Sequence, residues 1–409
     1  MLKLRLIIAQ FLQFFIWGSW LISFGGYLYS IGTAPMDIAA VYALAGFASL
    51  ITPGIIGIIA DKWLNSERLY GICHLIGAVA LFFAAQTIAY GQLFPLMAVY
   101  LAVFMPTISL SYSLSYSLLH KSGFDTDKTF PPIRSWGTIG FIVAMWAVNL
   151  LDWTFSANQL LLAAGASALL GLYAFTLPVS PPMRSKGTLA WKSAFGIDAL
   201  ALFKQRQMRI FFLFAVLIGV CLQITNAWGT PFLEHFRAGY PDSFTVKYPL
   251  LISSISQISE ALFILAIPFV LRKYGIKTIM LMSIGAWALR FGFFGVGDAG
   301  TGFVWLLLSM VVYGMAFDFF NIAGSLFIER EAPEPIRASA QGLWMMASMG
   351  VGAVVGQFAA ASVVGFFTVD GVQAWSAIWL TFTAYAAVVG VLFALFFHPQ
   401  NSRRNGNKN

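Results

Sequence analysis

Two carboxylates stand where carboxylates are costly. Glu260 and Asp318 fall in the middle of long apolar runs, whereas the other Asp and Glu residues fall in loops, linkers or the ends of such runs. A charged side chain at mid-membrane costs roughly 2.5–3.5 kcal/mol on insertion scales, so an acid there is a functional group by default. Acids in that position can take up and release a proton. The spacing predicts polar company for them. Ser253, Gln257 and Glu260 recur at i, i+4, i+7, one stripe of a helix, as do Gln223, Asn226 and Thr230 at i, i+3, i+7. Tyr313 and Phe317 are four apart, and Asp318 and Asn321 three apart. Amides carry paired donors and acceptors. With flanking aromatics they suit a neutral, flat, hydrogen-bonding solute better than an ion or a lipid.

The first half of the chain offers Arg134, Thr138 and Phe141 on one face of a helix that opens with Pro131 and Pro132. Arg134 stands near the start of that helix, where a guanidinium can also snorkel to headgroups. Gln13, Trp17 and Trp20 make another polar-aromatic stripe, and Tyr112 and Tyr116 share a face within a serine-rich run. Arg290 is expected to reach outward toward Asp298. Gly352 and Gly356 form a small-xxx-small pair suited to close helix packing.

These groups must be positioned by membrane helices. The 409 residues are 59% hydrophobic and 10% charged, against about 25% charged in an average soluble domain. Apolar segments near 5–29, 37–60, 69–90, 93–119, 131–151, 157–178, 208–232, 246–271, 275–297, 302–328, 335–366 and 372–398 approach or exceed the ~20 residues a helix needs to cross a bilayer. The expected fold is all-α, with twelve transmembrane helices. The longest break, 179–207, is a basic linker with an amphipathic piece around Trp191–Phe203. It divides the chain into a six-helix bundle at 1–178, a second at 208–398 and a tail at 399–409. Twenty of the 24 Lys and Arg then fall on one side, with Arg237 and Lys247 alone on the other. Both termini are therefore expected in the cytoplasm. In a soluble chain the formal net charge of +8 would suggest nucleic acid; here it is a topology signal, and no nucleic-acid partner is expected.

Several chemistries lack their residues. Cys73 and Cys221 fall in spans, and His74, His120, His235 and His398 form no ligand-spaced pair, so neither a disulfide framework nor a metal is expected. A Walker-type loop, H-E-x-x-H and G-x-S-x-G are absent, which argues against ATP drive or a membrane hydrolase. Nothing calls for a cofactor.

The loop Gly57-Ile-Ile-Ala-Asp61-Lys62, with Arg68 beyond it, fits the G-x-x-x-D-[RK] loop of the major facilitator superfamily. With a six-plus-six layout, that points to two repeated halves and a site between them near the midplane. Longer strings are more specific: Phe130-Pro-Pro-Ile-Arg134, Gly137-Thr138-Ile-Gly-Phe141, Leu222-Gln223-Ile-Thr-Asn226, Ser256-Gln257-Ile-Ser-Glu260 and Tyr313-Gly-Met-Ala-Phe317-Asp318. On these the chain resembles the bacterial nucleoside:proton symporters, including the xanthosine-permease branch. The resemblance implies a multi-pass carrier of the inner membrane, working as a monomer in the lipid bilayer. It would import purine and pyrimidine nucleosides with protons. Arg134, Thr138, Phe141, Gln223, Asn226, Gln257, Glu260, Tyr313, Phe317 and Asp318 would bind substrate, with Asp318 and Glu260 as proton carriers. Gly57, Asp61, Lys62 and Arg68 would serve the conformational loop. The alternatives are a xanthosine-preferring permease and a multidrug exporter of the same fold. The exporter is disfavoured by the cavity amides and by the lack of a G-x-x-x-G-P-x-x-G element in the fifth span.

Overall fold

In the computed structural model the chain is almost entirely helical, and the structure describes residues 1–181 and 197–398. Among them nine helices are long and apolar enough to cross a membrane, and Asn158–Ala174 is a shorter apolar one. Most of the linker, including Arg184, Lys186, Lys192 and the start of the amphipathic piece, lies outside the described residues, as does the tail at 399–409. The end of that piece, Ile197–Lys204, is a 3-10 helix.

The first group of helices comprises α1 (Leu2–Gly18), α2 (Phe24–Ser30), α3 (Pro35–Lys62), α4 (Ser66–Ala84), α5 (Tyr90–Lys121), α6 (Thr126–Leu150) and α7 (Asn158–Ala174). The second comprises α8 (Arg206–His235), the short α9 (Phe244–Lys247), α10 (Pro249–Val296), α11 (Phe303–Glu331), α12 (Arg337–Met345), α13 (Gly352–Phe366) and α14 (Trp375–Phe396). The helices of each group pack chiefly on one another.

Three departures from the sequence expectation matter for the site. The segment expected as one helix over 5–29 is broken between α1 and α2. The hydroxyl of Tyr42 is inserted there: it accepts from Gly25 N–H and donates to Leu21 O, both at 2.8 Å. A break in the ladder is tolerated away from water only when such partners re-satisfy the freed groups. The segments expected over 246–271 and 275–297 run together as α10, turning at Gly275, whose φ of 77° only glycine adopts freely. Between α12 and α13, Met346–Val351 is a π-helical stretch, a feature that often marks functional positions.

The chain also forms one small hairpin at the start of the expected last span. β1 (Thr368–Val369) pairs antiparallel with β2 (Val372–Gln373). Asp370 and Gly371 hold positive φ between them, the geometry a two-residue hairpin turn requires.

The two groups meet in hydrogen bonds gathered at one end. Tyr29 donates to Gln373 at 2.6 Å, Trp146 Nε1 to Ser254 at 2.9 Å and Thr230 to Ile22 O at 2.5 Å. Asn149 donates to Lys247 O at 3.1 Å and accepts from Leu250 N–H at 2.8 Å. Packing contacts also join the groups, such as Gly46 of α3 against Gly350, where an added Cβ would stand 2.9 Å from Gly350 O.

Candidate functional site

The two acids are brought together by a close helix crossing. At Gly314 of α11, an added Cβ would stand 2.5 Å from Ser259 C and 2.6 Å from Glu260 N on α10. Only a residue without a side chain lets the backbones approach so far. Ser259 stitches the crossing by donating to Val311 O and accepting from Gly314 N–H. One turn on from Gly314, Asp318 is 3% exposed, and its Oδ2 has no hydrogen-bond partner among the described residues. Glu260 is half-buried. Asp318 and Glu260 feel one another electrostatically, and Glu260 also feels Arg134 of the other helix group. Among the described residues neither acid takes part in an ion pair.

Arg134 does not snorkel. Its Nε donates to Tyr112 OH at 2.5 Å, and the guanidinium lies 3.9 Å from the centre of the Phe14 ring, an attractive cation–π placement. Thr138 is half-buried on the same face. Phe141 is buried and meets Trp17 edge-on at 6.4 Å.

A narrow cleft lies chiefly within the second group, with Ile22 of the first also lining it. Asn226, Gln257 and Tyr313 line it, together with Thr225, Ser253 and Ser256. Gln257 keeps a buried Oε1 without a partner among the described residues, a ready acceptor for a ligand N–H or O–H. Tyr313 and Phe317 stack nearly parallel, 5.9 Å apart with 6° between planes. Gln223 neighbours Asn226, whose Nδ2 donates to Gln223 Oε1 at 3.4 Å. Arg134, Thr138, Phe141, Gln223, Glu260, Phe317 and Asp318 are not on the cleft's lining.

Arg290 corrects the sequence reading. It does not extend to Asp298, which instead accepts from Gly300 and Gly302 N–H at 2.6 and 3.1 Å. Arg290 is 5% exposed and lines the cleft. Its Nη1 donates to Ser309 O at 2.7 Å and to Ser256 at 3.3 Å, and the guanidinium lies 4.6 Å from the Tyr313 ring centre. Its Nε has no partner among the described residues. Gln357 is the other group that escaped the sequence reading. It is fully buried beside Gln223, and its signal, a lone amide within an apolar run, was the one that marked Gln223 and Gln257.

Other expected stripes turn out to be structural. Gln13 is buried in a closed network: its Oε1 takes Tyr70 OH at 2.7 Å and His74 Nε2 at 2.9 Å, and its Nε2 donates to Thr107 at 2.9 Å. Trp20 Nε1 donates to Tyr100 at 3.0 Å. Gly352 and Gly356 serve close packing as expected, each facing α8 backbone at 2.8 Å from an added Cβ. The loop residues Gly57, Lys62 and Arg68 lie apart from the cleft. Lys62 and Arg68 are exposed, and an added Cβ on Gly57 would meet nothing within 4 Å. The Asp61 side chain lies outside the described residues. Among the described residues no His, Cys, Asp and Glu cluster could hold a metal ion.

Comparison with known proteins agrees with this architecture. A family model described as nucleoside H+ symporter matches residues 1–402. The xanthosine permease of Escherichia coli (strain K12) is 52% identical over 400 residues, covering 97% of this chain and 96% of that one. The nucleoside permease NupG of the same organism is 45% identical over 406 residues, covering 98% and 97%. A crystal structure of nucleoside transporter NupG superposes with a TM-score of 0.92 at 46% identity, covering 97% of this chain and 99% of that one. A peptide transporter structure shares the fold at a TM-score of 0.73 with 16% identity, covering 96% and 93%. The chain is therefore a multi-pass membrane transporter, not an enzyme, and belongs to the nucleoside H+ symporter family.

Proposed function

We propose that the protein imports purine and pyrimidine nucleosides with protons across the bacterial inner membrane, by alternating access between two halves. In this reading α1 with α2 makes one span, α10 makes two joined at Gly275, and α12 with α13 makes one. The count is then twelve, in bundles 1–178 and 208–398. The charge distribution supports cytoplasmic termini. The clasp through Tyr29, Asn149, Trp146 and Thr230 then lies on the outer side, so this is the outward-closed form of a carrier that works as a monomer in lipid, without a cofactor.

The roles follow from chemistry. Gln223, Asn226 and Gln257, with Glu260, bind ribose hydroxyls and base edges. Phe141 and Phe317 wall the flat base, with Tyr313 stacked behind Phe317. Arg134 and Thr138 complete the site from the first half. Asp318, with Glu260 beside it, carries the proton. The observation that supports this best is the buried Asp318 Oδ2 without a hydrogen-bond partner among the described residues. Protonation removes a charge from the interior, which favours reorientation of the loaded carrier. The relative at 52% identity is a xanthosine permease, which supports xanthosine as one substrate. In proteoliposomes with an imposed pH gradient, Asp318→Asn should lose concentrative uptake and keep downhill exchange. Accumulation at the wild-type level would remove Asp318 from the coupling step.

A further inference from the structure

Gln357 sits on α13 one residue past Gly356. The tight seam between α13 and α8 presses its fully buried amide against Gln223. Gln357 Nε2 donates to Gln223 main-chain O at 3.2 Å and to Gln223 Oε1 at 3.5 Å. Asn226, one turn along α8, donates to the same Oε1 at 3.4 Å. An amide oxygen has two lone pairs, so two converging N–H groups use the acceptor capacity of Gln223. Its Nε2 keeps both hydrogens. Gln223, Asn226 and Gly229 are the half-buried residues along this face of α8, and the face runs into the cleft at Asn226 and Gly229. Gln223, beside the cleft rather than on its lining, therefore keeps its donors unused, and Asn226, which lines it, keeps its Oδ1 as an acceptor.

We propose that Gln357 is a positioning residue that sets base specificity: it holds the Gln223 amide with N–H outward, which selects bases with a carbonyl oxygen at the facing position over bases with an amino group there. This rests on the nucleoside-carrier reading of the site. Uracil and cytosine differ in this respect at one ring carbon, and hypoxanthine and adenine at another. A fixed donor bonds the carbonyl and meets the amino group N–H to N–H. A site that hydrogen-bonds one group discriminates strongly against its counterpart, because buried polar atoms are then left unpaired. Without Gln357, the Gln223 Oε1 keeps only the donor of Asn226 at 3.4 Å, so the amide turns more readily, and the turned amide accepts from the amino group.

The test is a competition assay in proteoliposomes, pairing uridine with cytidine and inosine with adenosine, read as affinity ratios so that expression level cancels. Wild type should prefer the carbonyl member in at least one pair. Gln357→Leu should reduce that preference about tenfold, the factor that corresponds to roughly 1.4 kcal/mol. Gln357→Glu accepts from Gln223 Nε2 and turns its oxygen outward, so it should shift the ratio further toward the amino member. A residue that only filled space would change stability or rate and leave the ratios alone. If Gln357→Leu does not insert, Gln357→Glu reads the same ratios. Equal handling of both pairs by wild type, or wild-type ratios in an active variant, overturns the positioning role alone. Failure of wild type to transport any of the four nucleosides overturns the carrier reading with it.

Discussion

Asn149 of α6 caps α10 from across the interface: its Oδ1 accepts from Leu250 N–H at 2.8 Å and from Leu251 N–H at 3.3 Å. α10 has no side-chain cap at its own N-cap position. The first N–H groups of a helix lack internal partners, so a side chain from the other helix group completes the helix that carries Gln257 and Glu260. The cap exists only while this end is closed. Replacing a capping Asn by Ala costs about 0.5–2 kcal/mol. Asn149→Ala should therefore move the balance toward the open end by about 2- to 30-fold. Labelling of a cysteine introduced at position 253, inside the closed end, should accelerate accordingly, and an unchanged rate would show that the cap does not hold this end.

Gly314 should tolerate no side chain. Its added Cβ would overlap the Ser259 carbonyl carbon, and overpacking costs typically about 1–3 kcal/mol. Gly314→Ala should lower the melting temperature in detergent and reduce transport, whereas Gly365→Ala, where an added Cβ meets nothing within 4 Å, should do neither. Equal melting temperatures for the two variants would mean that α10 and α11 do not meet this closely.

Arg290→Lys should weaken nucleoside binding. Lysine keeps the charge but loses the planar fork that bonds Ser309 O and Ser256 while covering the Tyr313 ring. A hydrogen bond to a charged group is worth about 1.5–3 kcal/mol, which corresponds to about a tenfold or greater rise in dissociation constant by calorimetry. Unchanged affinity would restore Arg290 to a purely structural part.

Gln13→Leu separates the core network from the site. Tyr70, His74 and Thr107 would each lose their partner on Gln13, and a buried polar group left unpaired costs about 1–3 kcal/mol. Thermal stability should fall clearly while substrate affinity in the surviving protein stays the same. A selective loss of affinity would place Gln13 in the site.

What the sequence made legible follows from what stands out in an apolar run. Glu260, Asp318 and the amides at 223, 226 and 257 are conspicuous because lipid-facing helices have little use for them. Helical periodicity then gave their faces. Arg290 was misplaced because periodicity says which residues share a face, not what the face looks at; the cleft is visible only once α10 and α11 cross. Gly314 falls within the string from Tyr313 to Asp318, but its role depends on Ser259, 55 positions away. The break between α1 and α2 was likewise hidden, since its cause is the hydroxyl of Tyr42 on another helix. Gln357 carries the same signal as Gln223, a lone amide in an apolar run, but it stands beside the Gly352 and Gly356 pair, whose packing role accounts for that stretch without it.

Coupling is the central claim, and proton movement is its direct readout. Proteoliposomes loaded with a pH-sensitive dye should acidify inside when uridine or inosine is added outside with no imposed gradient. Asp318→Asn should exchange nucleoside across the same membrane without acidification. Nucleoside-evoked acidification in Asp318→Asn at the wild-type rate would contradict the assignment of the proton to this carboxylate.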